Sequence, residues 1–380
     1  MSRIYLDHHA TTPIDPRVLE SMQPYFSQSF GNPASGSHRW GWEAEEAVRI
    51  AREQVASLIH AHPKEIIWTS GTTESINLAL QGTATRYQKK GNHMISCLTE
   101  HSAVLATLRF LESKGFEVTY LPVNSEGLLS PEDLERAIRP STILISLMAA
   151  NNEIGVIPPL VELGRIAKKN GILFHVDAAQ ACGKIPVDVE DMGIDLLSLS
   201  AHKVYGPKGI GALYVRHRNP SVRLSPLFYG GTQQGGLRPG TLAVPSLVGM
   251  GMAYKIAQEE MGEEAKRLAL LRDHLLQRLQ EVVDDIVVNG SLTQRLPGNL
   301  NISFRGVRSA DLMSRLPDIA LSSGSACTSG SLEPSHVLKA LGVNEERSRS
   351  SIRIGLGRFN TKEEMDEVVH RIAETVKILR

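Results

Sequence analysis

Cysteine is scarce in this chain: Cys97, Cys182 and Cys327 are the whole complement in 380 residues. An odd number with no paired spacing supplies neither a disulfide framework nor a closed zinc site, and points to a reducing cytoplasm. No resident metal is expected. Long apolar runs are also lacking, so no segment is expected to span or sit in a membrane. The stretch Met1–Asp7 has no apolar core and no small-residue cleavage site, so a secretory leader is not expected. Excess charge of either sign is missing, since 41 Lys+Arg face 41 Asp+Glu. Bulk charge therefore gives no reason to expect a nucleic-acid partner. What remains is an ordinary soluble composition, 42% hydrophobic and 22% charged. The length allows a sizeable core and two domains.

From about residue 65 to 215, strand-like runs alternate with helical patterns. The runs at 66–68, 93–98, 116–121, 142–148, 172–176, 196–199 and 210–215 read as strands, with helices at about 102–113 and 160–169 between them. This alternation predicts an α/β fold with a mostly parallel sheet and helices on both faces. Beyond about 255 the texture changes. A long charged amphipathic helix is predicted over 257–283, short strands at 299–304 and 352–356, and a terminal helix whose apolar face carries Met365, Val368, Val369, Ile372, Val376 and Leu379. The expected division is a large domain over 15–255 and a smaller α+β domain made of 1–14 and 256–380.

Lys203 is the most informative residue. It follows the apolar run 194–199 in Ser200-Ala201-His202-Lys203, a poor place for a solvated charge and a good one for a partly desolvated, nucleophilic amine. Asp177 closes the run 172–176. It reads either as a helix-capping acid or as a carboxylate paired with a ring nitrogen cation. Ser70-Gly71-Thr72-Thr73-Glu74 follows a strand and opens a helix, which makes it either an ordinary cap or a phosphate cradle. His101 at a strand-to-helix junction reads as structural by itself, as do His8, His9, His38, His175 and His202. Arg353 interrupts a short apolar strand, as an edge-strand charge or as a carboxylate clamp. Cys97 and Cys182 sit in apolar contexts and read as core. Cys327 lies in a Ser/Gly-rich stretch, 322–331, where thiol chemistry explains it better than packing.

Strand-end aspartate, later strand-end lysine and upstream Gly/Thr helix start suggest pyridoxal 5′-phosphate. The lysine would form a Schiff base, the aspartate keep the pyridine nitrogen protonated and the helix start hold the phosphate. At this point the chain resembles the cysteine desulfurases of iron–sulfur cluster assembly, fold-type I pyridoxal phosphate enzymes related to class V aminotransferases. The resemblance runs nearly end to end. It is carried by Tyr5-Leu6-Asp7 with Ala10-Thr11-Thr12-Pro13, Gly31-Asn32-Pro33-Ala34-Ser35, Ser70–Glu74, Thr99-Glu100-His101, Asn151–Gly155, His175–Ala178, His202-Lys203, Arg238-Pro239-Gly240-Thr241, Ser322–Ser329 and Arg353.

The resemblance implies a seven-stranded-type sheet and a set of roles. Lys203 would hold the cofactor and Asp177 its ring nitrogen. His101 would stack on the ring and help move protons. Gln180 and Asn152 would contact the phenolic oxygen and its neighbours. Thr72, Thr73, Ser200 and His202 would bind the phosphate, with Thr241 reaching that of the partner subunit in a homodimer. Arg353 would clamp the carboxylate of L-cysteine, with Asn32 close by. Cys327 would take the substrate sulfur as a persulfide and leave alanine, its Ser/Gly-rich loop supplying the reach. Cys327 is also the candidate transient ligand for an iron–sulfur cluster. The sulfur would go to an iron–sulfur scaffold protein or another acceptor, including one in tRNA thiolation. The cofactor alone also fits a plain class V aminotransferase or a selenocysteine lyase, and loss of activity would leave a sulfur-carrier platform. Cys327 selects desulfuration among these. Known members carry a C-terminal tail beyond the last helix that helps dock the scaffold. This sequence ends at Arg380, so docking is expected through other surfaces.

Overall fold

A computed structural model describes residues 3–219, 221–323 and 335–380. Its strands in chain order are β1 (Ile4–Tyr5), β2 (Ile66–Thr69), β3 (His93–Cys97), β4 (Glu117–Leu121), β5 (Thr142–Met148), β6 (Leu173–Asp177), β7 (Leu196–Ser200), β8 (Gly211–Val215), β9 (Ile286–Val288), β10 (Asn299–Phe304), β11 (Ile319–Ala320) and β12 (Ser351–Gly355). Strands β2 to β8 form one seven-stranded sheet in the order β2-β8-β7-β6-β5-β3-β4. The neighbours from β4 to β7 are parallel, and β8 is antiparallel to both β2 and β7. The fold is thus α/β with a mostly parallel central sheet, as the alternation predicts. The exception at β8 follows from its connection: the short turn after β7 brings the chain straight back, with no crossover helix to reverse it.

The central strands are buried along their whole length. All seven residues of β5, Thr142-Ile143-Leu144-Ile145-Ser146-Leu147-Met148, are buried. A continuous apolar run is what a parallel strand covered on both faces requires. One apolar cluster on the sheet includes Trp68, Phe174, Leu199 and Tyr254, and another includes Ile76, Leu108, Leu144 and Leu213. A separate cluster gathers Ile4, Leu6, Leu275, Phe304, Ile354, Met365 and Ile372. It packs on the antiparallel sheet β12-β10-β9, beside the parallel pair β1-β11. No helix among the described residues is long and apolar enough to cross a membrane.

One helix departs from expectation. The helix expected to begin near Ala257 runs from Val244 to Val282. Its first part is apolar and glycine-bearing, which hides the amphipathic signal. The glycines have a packing reason. A Cβ at Gly251 would lie 2.6 Å from the Ala51 Cα, so helices Val244–Val282 and Arg39–Leu58 approach at backbone distance.

Candidate active site

The carboxyl ends of the sheet strands converge on one cavity of about 540 Å³. In open α/β sheets this edge is where ligands bind. Strand β6 ends in Asp177, and β7 ends in Ser200 and leads to His202 and Lys203. The β2 end leads to Ser70–Thr73, the β3 end to His101, and the β5 end to Asn152. The cavity wall contains Thr72, Thr73, His101, Asn152, Asp177, Gln180, Ser200, His202, Lys203 and Arg353 together. Two expected residues lie elsewhere on the chain: Asn32 and Thr241 are exposed and off this wall. Cys327 lies outside the described residues.

One end of the cavity is built for an anion. Helix Thr72–Tyr87 begins there, capped by Gly71 with no side-chain bond to its first turn. Its free N–H groups and positive dipole end face the site. Gly71 has φ +149, and a Cβ on Gly211 would lie 2.7 Å from the Gly71 Cα, so only glycines allow this close approach. Thr72 Oγ1 and Ser200 Oγ are buried and have no hydrogen-bond partner among the described residues. Two orphaned hydroxyls at a helix N-terminus fit phosphate oxygens. His202 Nδ1 lies 3.1 Å from Thr11 Oγ1. Burial, with Lys203, Lys208 and Lys184 nearby, pushes its pKa down to about 4, so it is neutral at pH 7.

The opposite wall is acidic. Asp177 is buried and accepts from the Ala179 N–H at 3.0 Å. Burial raises its pKa, while His101, Ala179 and Lys203 oppose the rise. A cationic ring nitrogen beside it would add a charge partner to His101 and Lys203. His101 caps helix Ser102–Glu112, its Nδ1 accepting from the Ala103 N–H at 3.1 Å.

Behind Asp177 sits Glu100, fully buried, its Oε1 accepting from the Met148 N–H at 2.8 Å and its Oε2 unpartnered. Burial first, then the Asp177 charge, holds its pKa well above the usual carboxylate range. Burial thus favours the protonated form of Glu100. A raised carboxyl pKa means the folded state keeps a proton that the unfolded state releases. Its stabilising contribution is present at low pH and is lost as pH rises from the ordinary Glu pKa, near 4.3, toward the folded value, at about 1.4 kcal/mol per unit. A Glu100→Gln protein should gain stability relative to the native chain on going from pH 5 to pH 8, by about 1 kcal/mol or more. Paired denaturant melts at the two pH values check this, and an unchanged difference would mean that Glu100 is ionised.

Sequence reasoning placed residues 1–14 with the smaller domain and did not foresee the strap made by their bonds to Lys203, His202 and Arg353. Lys203 Nζ donates to the carbonyls of His9 at 2.5 Å and Ala10 at 2.7 Å. Thr12 Oγ1 donates to the His202 carbonyl at 3.1 Å. Asp7 Oδ1 accepts from Arg353 Nη2 at 2.6 Å. Arg353 is 3% exposed, which excludes the solvated edge-charge reading. It also donates to the Asn152 carbonyl at 2.9 Å, and its Nε is buried without a partner among the described residues. The only local sign of the strap was His8-His9 before Ala10-Thr11-Thr12-Pro13, and its partners lie nearly two hundred residues or more downstream.

The described flanks of the Cys327 segment are anchored beside this cavity. Ser322 and Arg353 exchange backbone bonds, with the Arg353 N–H reaching Ser322 O at 2.6 Å. On the other side, Ser335 Oγ donates to Glu153 Oε2 at 2.5 Å, next to Asn152. The other two thiols are buried, as their apolar contexts predict.

This fold and this cavity are those of a class of enzymes. The sequence model of the class-V aminotransferases matches residues 4–368, and the chain belongs to that family. The relatives are more particular. The chain is 56% identical over 377 residues to the cysteine desulfurase IscS of Anaeromyxobacter dehalogenans (strain 2CP-C), covering 99% of this chain and 93% of that one. Among solved structures it is similar to a NifS-like protein, with a TM-score of 0.92 and 40% identity over 99% of this chain and 100% of that one. It is also similar to SspA in complex with cysteine, with a TM-score of 0.83 and 41% identity over 94% and 100% of the two chains.

Proposed function

We propose that this protein is a pyridoxal 5′-phosphate-dependent cysteine desulfurase. It converts L-cysteine to L-alanine, carries the sulfur as a persulfide on Cys327 and supplies it for iron–sulfur cluster assembly. One observation carries the reading: a phosphate-shaped helix start with two orphaned hydroxyls, an amine at Lys203 and a buried acid at Asp177 line one cavity. Its volume, about 540 Å³, suits a cofactor with an amino acid beside it.

Bound there, the cofactor supplies an electron sink that labilises the substrate's Cα proton and exposes its sulfur to attack. Lys203 Nζ would attach the cofactor and would serve as the base beside Cα. Asp177 would keep the proton on the ring nitrogen, and His101 would pack on the ring. Thr72, Thr73, Ser200 and His202 would hold the phosphate, and Gln180 and Asn152 would face the phenolic side. The Arg353 guanidinium orients the substrate carboxylate, with Asp7 fixing its fork from behind. Thiolate Cys327 forms a bond to the substrate sulfur as the C–S bond breaks, and the carbon left behind takes a proton to become alanine. Its tether supports this role: four residues separate it from Ser322, five chain steps or about 18 Å when extended.

The same reading assigns the remaining partners. A second copy of the chain completes the site, with the exposed Thr241 reaching the phosphate of its neighbour and Asn32 approaching the substrate. An iron–sulfur scaffold protein in the cytoplasm takes the sulfur. The test is direct. Purified protein given pyridoxal phosphate and L-cysteine should release alanine, and peptide mass spectrometry should find one added sulfur atom on Cys327. Alanine formation with no sulfur on that peptide would sink the assignment.

A further inference from the structure

The Gln180 side chain is more tightly specified than a contact to a cofactor oxygen requires. Its Oε1 lies 3.0 Å from His9 Nδ1 and 2.9 Å from Lys184 Nζ. Its Nε2 donates to the His9 carbonyl at 2.9 Å. The amide has two acceptor lone pairs and two N–H donors. The Lys184 ammonium can only donate, so while Lys184 is protonated Oε1 must be the atom that faces it. His9 Nδ1 meets the same oxygen and must then carry its proton. Both lone pairs are used and one N–H is used. The amide cannot be reversed, because that would set its NH2 against the Lys184 ammonium.

We infer that His9 is a positioning residue that, with Lys184, locks the Gln180 amide so that it can offer the cavity's occupant only a hydrogen-bond donor. The inference rests on the cavity being the pyridoxal phosphate site. A fixed donor there stabilises an anionic oxygen and rejects a protonated one.

His9 is itself fixed. It is 2% exposed, and a Cβ on Gly355 would lie 2.8 Å from its Cδ2. The strand carrying Arg353 therefore leaves the imidazole room only because residue 355 is glycine. The cations facing His9 are Lys184, Arg353 and Lys203, and burial with these three keeps the ring neutral, leaving Nε2 buried and bare. Lys184 faces Lys203 and Arg353, with Glu264 as an opposing charge. Its pKa is pushed down to about 7, chiefly by burial. His8 and Tyr205 close the same small chamber behind Lys203.

The experiment uses the full chain loaded with pyridoxal phosphate. The visible absorption band is titrated against pH for the native protein, His9→Met and His9→Asn. Methionine keeps the bulk and removes the N–H, and asparagine keeps an N–H at the same reach. His9→Met should raise the apparent pKa of the band by about one unit, tenfold in the proton equilibrium. His9→Asn should return it to within a few tenths. An unchanged value in His9→Met, or the same shift in both variants, would overturn the inference. Nitrogen-15 NMR of the labelled native holoprotein decides independently of any variant. The His9 ring should carry its proton on Nδ1 across the neutral range, and a proton on Nε2 would overturn the inference equally. If the native protein develops no visible band, the cofactor reading is what has failed.

Discussion

Cys327→Ala protein is expected to take up pyridoxal phosphate and bind L-cysteine while losing alanine and sulfide production by at least about 1,000-fold, on the scale of removing a covalent nucleophile. The loss should be this large because the chain has no substitute. Nucleophilic attack on the substrate sulfur needs a thiolate. Burial pushes the Cys97 thiol up to about 11 and the Cys182 thiol up to about 12. Neither ionises appreciably near pH 7, and neither can leave its packed site. Nothing on the cofactor side of the cavity is touched, so the absorption change on adding L-cysteine should survive. Turnover within tenfold of the native protein would mean that sulfur leaves by a route without Cys327.

Lys203→Ala should be comparably severe, at about 1,000-fold or more, for a different reason. It removes both the attachment point and the base beside Cα. Nearby basic groups are poor replacements: His202, its pKa pushed down to about 4, is a weak base, and Lys184 lies in the chamber behind Lys203, tied to Gln180. Borohydride reduction followed by peptide mass spectrometry should fix the cofactor to Lys203 in the native protein and to nothing in the variant. Cofactor recovered on another lysine would refute the assignment. A stability signature should accompany the loss. Lys203 Nζ also donates to the His9 and Ala10 carbonyls. Losing these bonds should cost about 2–3 kcal/mol by denaturant melt.

The parts of this molecule that a sequence shows are those written in short windows. Strand β5 is a largely apolar stretch of seven residues and β10 a six-residue alternation of polar and apolar side chains, and both are found where their pattern puts them. The helix start at Thr72 and the strand ends at Asp177 and Ser200 are equally local, so ten expected site residues converge on one cavity. The first part of helix Val244–Val282 was illegible because its glycines answer to Ala51 and Met22, not to a helical period. The reversed strand β8 depends on how a turn closes, which residue types state only weakly. The strap was illegible for a third reason. Asp7 and His9 acquire meaning from Arg353, Gln180 and Lys203, and no periodicity links residues that far apart. Glu100 and Lys184 likewise become chemically unusual only through burial.

The bond between Asp7 and Arg353 spans 346 positions of sequence. A ribosome adding about 5–20 residues each second needs roughly 20–70 s to cover that interval. During that time Lys203 is made, yet the strand that seats His9 through Gly355 has not emerged. The earliest-made stretch of the site is thus the last to be locked. A nascent chain cannot carry a finished centre, and reactive sulfur chemistry begins only when synthesis of the body is nearly complete.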